Sequence, residues 1–195
     1  VEFGSSMGIS AIYMAAAQEL LTAYLSLEVL SFCLYILVSY AKQDGRSNEA
    51  GMKYMLLGAF ASALLLSGTS FISATAGSTT YSEINAAFAK GVGDFSLGTL
   101  AGLTLIVAGL GFKVAAVPFH AWTPDAYEGA PMPITAYLSA TSKAAGFALL
   151  LRLLSTGLLP VIDDWRFMIA IIAAITMVSG NLIALWQTNI KRLLA

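Results

Sequence analysis

Apolar residues run along this chain in blocks of about twenty, separated by short polar stretches. Neither the two-residue alternation of a half-buried strand nor the 3.6-residue stripe of a surface helix accounts for blocks of that length. A bilayer core about 30 Å thick is crossed by roughly 20 mostly apolar residues in helical form. Five such spans are predicted, at about Leu20 to Tyr40, Gly51 to Ser73, Leu97 to Trp122, Met132 to Leu154 and Phe167 to Trp186. Residues before Gln18 read as the tail of an earlier span, and those after Thr188 as the head of a later one. Between the spans, Ala41 to Glu49 holds Lys42, Asp44, Arg46 and Glu49. Ala74 to Asp94 is a Gly-, Ser- and Thr-rich connection with a short polar helix near Tyr81 to Lys90. Both are expected to be solvated.

Composition sharpens this picture. Of 195 residues, 58% are apolar and only 11% are charged, against about 25% charged in ordinary soluble domains. That is too little charge to solvate a water-facing surface, and it places the chain in a membrane. Ten Lys and Arg against eleven Asp and Glu give a net charge of -1, which offers no footprint for nucleic acid. The single cysteine, Cys33, lies inside a span, so no disulfide framework and no cysteine-based zinc or iron–sulfur site is expected. The chain opens on Val1 without a signal-peptide pattern and stops at Ala195 as an apolar segment begins. It reads as a single membrane domain over residues 1–195, an internal fragment of a longer protein. Lys42, Arg46, Lys53, Lys191 and Arg192 cluster on one side of the spans, and Lys90, Arg152 and Arg166 on the other. That bias puts the 41–50 loop in the cytoplasm or its equivalent.

Each span is apolar nearly all round, so periodicity does not say which face meets protein. Small residues mark candidate contacts between helices: Gly58, Ala61, Ser62 and Gly68 in the second span, Gly102 and Gly109 in the third, and Ser139, Ser142 and Gly146 in the fourth. The informative residues are the charges that the pattern leaves inside the spans. Glu28 falls near the middle of the first, Lys113 two-thirds along the third, and Lys143 near the middle of the fourth. A Lys near a helix end reaches the interface with its long stem, which suits Lys53 and Lys90. Lys143 has about 16 Å of apolar helix on each side, which is too far for that. Either Glu28 pairs statically with a lysine to hold helices together, or Glu28, Lys113 and Lys143 form a chain of titratable groups at mid-depth.

Gly109, Gly111, Pro118 and Pro124 interrupt the third span around Lys113 and His120. A broken helix at mid-depth recurs at ion sites in transporters. His120, the only histidine, has no Cys or second His to join it in a metal site, and is read as either a proton relay or a structural hydrogen-bond donor. Asp125 and Glu128, in the turn bounded by Pro124, Pro131 and Pro133, are read as helix caps or solvated turn groups.

The stretch FKVAAVPFHAWTPDAYEGAPMPITAYLSATSKAAGFALLLRLL, residues 112–154, resembles the antiporter-like, proton-translocating membrane subunits of respiratory complex I, the NADH:quinone oxidoreductase. These are in turn similar to subunits of multisubunit sodium/proton antiporters of the Mrp type. WTPDAYEG at 122–129, and the Ser142–Lys143 pair where the L- and M-type subunits carry a histidine-bearing helix, resemble the N-type subunit best. LLTAYLSLEVLSFCLYILVSY and GNLIALWQTNIKRLLA agree with it in order and spacing. The resemblance implies that Glu28, Lys113 and Lys143 match the family's glutamate, its paired lysine at a broken helix and its central-axis lysine, with His120 in the motif in a less settled role. It implies a subunit of about fourteen helices in two inverted five-helix units, of which this chain holds the first and the entry to the second.

The fold expected is therefore an all-α polytopic bundle of about five full spans plus partial ones at each end, with one discontinuous helix at about 97–122. The resemblance further implies a translocase subunit in the bacterial plasma membrane or an equivalent energy-converting membrane. Its partners would be the other membrane subunits of complex I and the lipid bilayer, with no nucleic acid. No cofactor is expected on this chain; NADH and quinone would be used elsewhere in the assembled complex. An Mrp-type antiporter subunit is the alternative function, and a scaffold with inert buried charges a third.

Overall fold

The computed structural model describes residues 2–92 and 96–195, with side chains described from residue 4 onward. Val1 and residues 93 and 94, at the end of the expected 74–94 connection, lie outside the described residues. Five helices are long and apolar enough to cross a membrane, and no strand occurs among the described residues. α1 (Glu2–Ala16) is the expected tail of an earlier span, and α2 (Leu20–Val38) is the first full one. α3 (Gly45–Ala76) has 32 residues, about 48 Å of helix, against a hydrocarbon core of about 30 Å. It is longer than the apolar block Gly51 to Ser73 because its first turns are built from polar residues of the 41–50 loop, among them Arg46, Asn48 and Glu49. Asp44 starts it by accepting a hydrogen bond from the Arg46 amide at 2.9 Å. Gly77, in the left-handed region at φ 76°, ends it.

The polar helix α4 (Tyr81–Ala89) falls where the sequence puts it. A single antiparallel bridge between Glu19 and Thr80 ties its start to the α1–α2 turn. Leu20 N–H donates to the Thr79 carbonyl, and Tyr81 N–H to the Gln18 carbonyl, both at 2.9 Å.

α5 (Leu97–Val114) is shorter than the predicted third span. The discontinuity falls at Ala115, whose backbone is left-handed at φ 61°, and the chain continues in turns to α6 (Thr123–Gly129). Lys113 therefore sits in the last turn of a helix, and His120 in the turns that follow. The fourth span, Met132–Gly157, joins α7 (Met132–Tyr137) to α8 (Lys143–Arg152) through a π-helical turn at Leu138–Ser142, with a second one at Leu153–Gly157. α9 (Ile162–Ala184) is the fifth span, and α10 (Ile190–Leu193) the head of a next one. α9 begins earlier than predicted because Asp163 and Asp164 occupy its first turn, where carboxylates complement the helix dipole.

Packing follows the small residues. Among the described residues, α3 and α5 make the most extensive contact between helices. A Cβ on Gly68 would lie 2.7 Å from the Ile106 amide nitrogen, and one on Gly109 2.7 Å from Leu65 Cβ, so these backbones touch. Gly58, Ala61, Ser62, Gly102, Ser142 and Gly146 are likewise buried, whereas Ser139 is exposed and makes no such contact. Without a hydrophobic driving force between helices inside lipid, such close packing is what holds spans together. Gly68→Val and Gly109→Val are expected to destabilise the full-length protein by about 1–3 kcal/mol each. Gly45→Ala, with nothing near its Cβ position, should stay within about 0.5 kcal/mol. Thermal unfolding in detergent checks both.

Candidate functional site

Ending α5 at Ala115 does two things for Lys113. It places the side chain at the end of a buried helix, where it is 3% exposed, and it interrupts the regular hydrogen-bond ladder at the last carbonyls of α5. Lys113 Nζ donates to Ser31 Oγ on α2 at 2.9 Å. Ser31 gives its own proton to the Leu27 carbonyl at 2.7 Å, so its free lone pairs face the lysine. Ser31 lies three residues after Glu28, on the same face of α2. Glu28 Oε1 accepts from Ser62 Oγ on α3 at 2.7 Å, and Tyr24 Oη lies 2.9 Å from that serine. Glu28, Ser31, Ser62 and Lys113 line one cavity of about 10 Å³, the size that admits a single water.

Lys143 approaches from the far side of α5. The π-turn immediately before it breaks the regular register of the fourth span, a feature found often at functional sites. Its Nζ donates to the Lys113 carbonyl at 3.3 Å and lies 4.5 Å from the centre of the Trp122 ring, a cation–π distance. Gly146, one turn further, lets α8 close on α5: a Cβ there would lie 3.4 Å from Lys113 Cγ. Trp122 is fixed by its indole N–H, which donates to the Phe112 carbonyl at 3.0 Å. It stacks on Tyr54 at 4.4 Å and on Phe112 at 5.1 Å. Both carbonyls used here lie at the helix break; that of Phe112 also accepts from the Ala115 amide at 3.1 Å.

Among the described residues no carboxylate oxygen comes within 4.0 Å of Lys113 or Lys143 Nζ. The structure thus holds no static Glu28–lysine bridge. Glu28, Lys113 and Lys143 are brought together through neutral partners: a serine for the carboxylate, a serine for one ammonium, and a carbonyl with an aromatic face for the other. His120 is half-buried, its Nδ1 is buried without a partner, and no hydrogen bond joins it to the other three.

A second polar cluster lies at the end of the helices that carries the 41–50 loop. Asp125 and Glu128 are not simply caps or solvated turn groups, as expected from sequence. Arg192 pairs with both of them, Lys53 bridges Glu49 at 2.8 Å and Asp125 at 2.9 Å, and Asn189 donates to Glu128 at 3.1 Å. Lys191 donates to the Ala130 carbonyl at 2.8 Å. The cluster ties α3, α6 and α10 together, and it puts Lys53, Lys191 and Arg192 on the same side, as the charge pattern predicts. Arg152 donates to the Ala17 carbonyl at 2.6 Å, on the opposite side.

The family model described as "NADH:quinone oxidoreductase/Mrp antiporter, TM" matches residues 17–195. The chain belongs to this family. NAD(P)H-quinone oxidoreductase subunit 2 of the cyanobacterium Crocosphaera subtropica is 45% identical over 188 residues, 96% of this chain and 36% of the relative. The protein of that name from Picosynechococcus sp. is 47% identical over 188 residues, with the same coverage of each chain. Among solved structures, respiratory complex I from Thermus thermophilus with bound aureothin superposes with a TM-score of 0.81 and 35% identity, over 96% of this chain and 39% of that one. The membrane-bound sulfane sulfur reductase, an archaeal respiratory membrane complex, gives 0.78 and 29%, over 96% and 38%. The chain spans a little over one third of the length of these relatives. As a member of the NADH:quinone oxidoreductase/Mrp antiporter family with five apolar spans, it is an integral membrane protein. The matched region contains Glu28, Lys113, His120 and Lys143.

Ser31 lies one turn from Glu28, but so does Tyr24, and the span also carries Thr22 and Ser26, so the sequence does not single it out. Ser62 looks like packing glue, and Tyr24 and Trp122 like ordinary membrane aromatics, because their partners lie on other helices. Trp122, 2% exposed, is the structural centre of the Lys143 side. Trp122→Ala is expected to destabilise by about 3–5 kcal/mol, and Trp122→Phe, which keeps a stacking ring, by clearly less. Thermal unfolding of the full-length protein distinguishes them.

Proposed function

We propose that this chain is part of a proton-translocating membrane subunit of an NADH:quinone-type oxidoreductase, with Glu28, Lys113 and Lys143 as its proton-carrying groups. The observation that carries the reading is the absence of a fixed ion pair. Each of the three is held by a neutral group, so each can change charge without leaving a buried counter-charge stranded. An ionised Glu28 attracts the Lys113 ammonium across their shared cavity. Neutralising Glu28 removes that attraction and favours passing the proton on to Lys143, whose Nζ already touches the Lys113 backbone. A lysine suits this work because it can exist as a neutral amine in an apolar site, which an arginine cannot.

On this reading the residues described form the first of two helical units of a longer subunit. It works beside other membrane subunits in a bacterial energy-converting membrane, plasma or thylakoid, and NADH and quinone are handled by other chains of the complex. His120 is a secondary candidate, through its unpartnered Nδ1.

The test uses the full-length protein in its assembled complex, reconstituted in vesicles. Glu28→Ala and Lys113→Ala should each lower quinone-driven proton pumping at least about tenfold, with coupled turnover falling alongside. Lys113→Arg should not restore pumping although it keeps the charge. Pumping at the unaltered level in a fully assembled complex overturns the proposal. Restoration by Lys113→Arg would make the charge structural, and sodium-dependent antiport without quinone turnover would transfer the chain to the Mrp-type reading.

A further inference from the structure

In an unbroken helix the amide of residue i donates to the carbonyl of residue i−4, so the Val117 amide would take the carbonyl of Lys113. Here that bond is absent. Ala115 is left-handed, and Pro118 disfavours a helical backbone at the residue before it. The Ala115 amide turns back to the Phe112 carbonyl at 3.1 Å, and the Ala116 amide to that of Gly111 at 2.8 Å. The Val117 amide instead donates to Thr176 Oγ1 on α9 at 3.0 Å, and the Lys113 carbonyl accepts from Lys143 Nζ on α8 at 3.3 Å. Two groups that a helix would have bonded to each other are thus each paired with a different span.

Thr176 is built for this contact. Its hydroxyl gives its own proton to the Ile172 carbonyl at 2.7 Å, which fixes the rotor and leaves lone pairs for the amide. No residue of α9 is buried, and an apolar cavity of about 260 Å³, lined in part by Gly111, Val114, Phe147, Ile169 and Thr176, lies between α9 and the helices α5 and α8. With so little close packing, a directional bond sets where α9 sits against the break. Between membrane spans an unmet amide is costly, and no other side chain in that lining carries an oxygen to replace the threonine. The acceptor that a helical path would offer Val117 is the Lys113 carbonyl, which Lys143 uses.

We infer that Thr176 is a positioning residue for the lysine pair: by holding the Val117 amide it keeps the Lys113 carbonyl open to Lys143, and so keeps Lys143 beside Lys113. The inference rests on the reading of these two lysines as proton carriers. It also gives the fifth span a hold on the site, because a shift of α9 carries the Val117 amide, and with it the turn that follows Lys113. The segment beyond α9 is tied to α6 through Arg192, which pairs with Asp125 and Glu128. The chain between α5 and α6 is therefore gripped near its start by α9 and beyond its end by α10.

Thr176→Val keeps the branched shape and deletes the hydroxyl, Thr176→Ala deletes it without the branch, and Thr176→Ser keeps it. In the full-length protein within the assembled complex, Thr176→Val and Thr176→Ala should each lower the initial rate of quinone-driven proton pumping about tenfold, whereas Thr176→Ser should retain it. Amide exchange across residues 115–122 should quicken in the first two variants and not in the third. A high-resolution map of either hydroxyl-free variant should show Lys143 Nζ beyond hydrogen-bond distance of the Lys113 carbonyl. Pumping at the unaltered rate in the hydroxyl-free variants overturns the inference even if exchange quickens, since the bond would then be structural only. A map that leaves Lys143 on the carbonyl overturns it too, as does a Thr176→Ser variant as slow as Thr176→Val. If Lys113→Ala itself pumps normally, the functional reading falls and not merely the role of Thr176.

Discussion

Bringing an ammonium into hydrocarbon costs several kcal/mol, and leaving its hydrogen-bonding protons unmet adds to that cost. Lys113, 3% exposed with one serine and a small cavity about it, is the point at which this chain meets that cost, and much of the surrounding structure serves it. The left-handed turn at Ala115 stops α5 where the lysine needs to be. The carbonyls of residues 112 and 113, beside that turn, accept from Trp122 and Lys143. The broken helix and the buried charges, two separate signals in the sequence, are one arrangement in three dimensions.

That arrangement is compatible with movement of charge because it lacks a tight ion pair. A buried bridge between Glu28 and Lys113 would gain Coulomb energy only while both stay charged, and losing one proton would strand the other partner. Hydroxyl partners avoid this. Ser31 and Ser62 both accept and donate, so they remain bonded in either charge state. Lys143, held over an aromatic face and a carbonyl, is likewise not committed to a counter-ion.

The surface cluster has different physics. Lys53 and Glu49 are largely exposed, with 47% and 65% of their side-chain area open, where single ion pairs contribute little. Arg192, bonded to both Asp125 and Glu128, is better placed to fix geometry. It anchors the segment after α9 to α6, and so to the turn structure that follows Lys113. The start of the next helix is thereby joined to the same break.

Hydropathy blocks, charge scarcity and the positions of Glu28, Lys113 and Lys143 were fixed by the sequence alone, because the bilayer imposes span length and penalises charge whatever the neighbours are. The helix between Tyr81 and Ala89 and the shared side of Lys53 and Arg192 were legible for the same reason. The exact stop of α5, the π-turns around Lys143 and the pairing of Asp125 and Glu128 were not, since each depends on which helices meet. Inside a span that is apolar on every side, no periodicity reports the buried face. Ser62 therefore reads the same whether it touches lipid, glycine or a carboxylate, and only the close packing of α2 against α3 makes it the partner of Glu28.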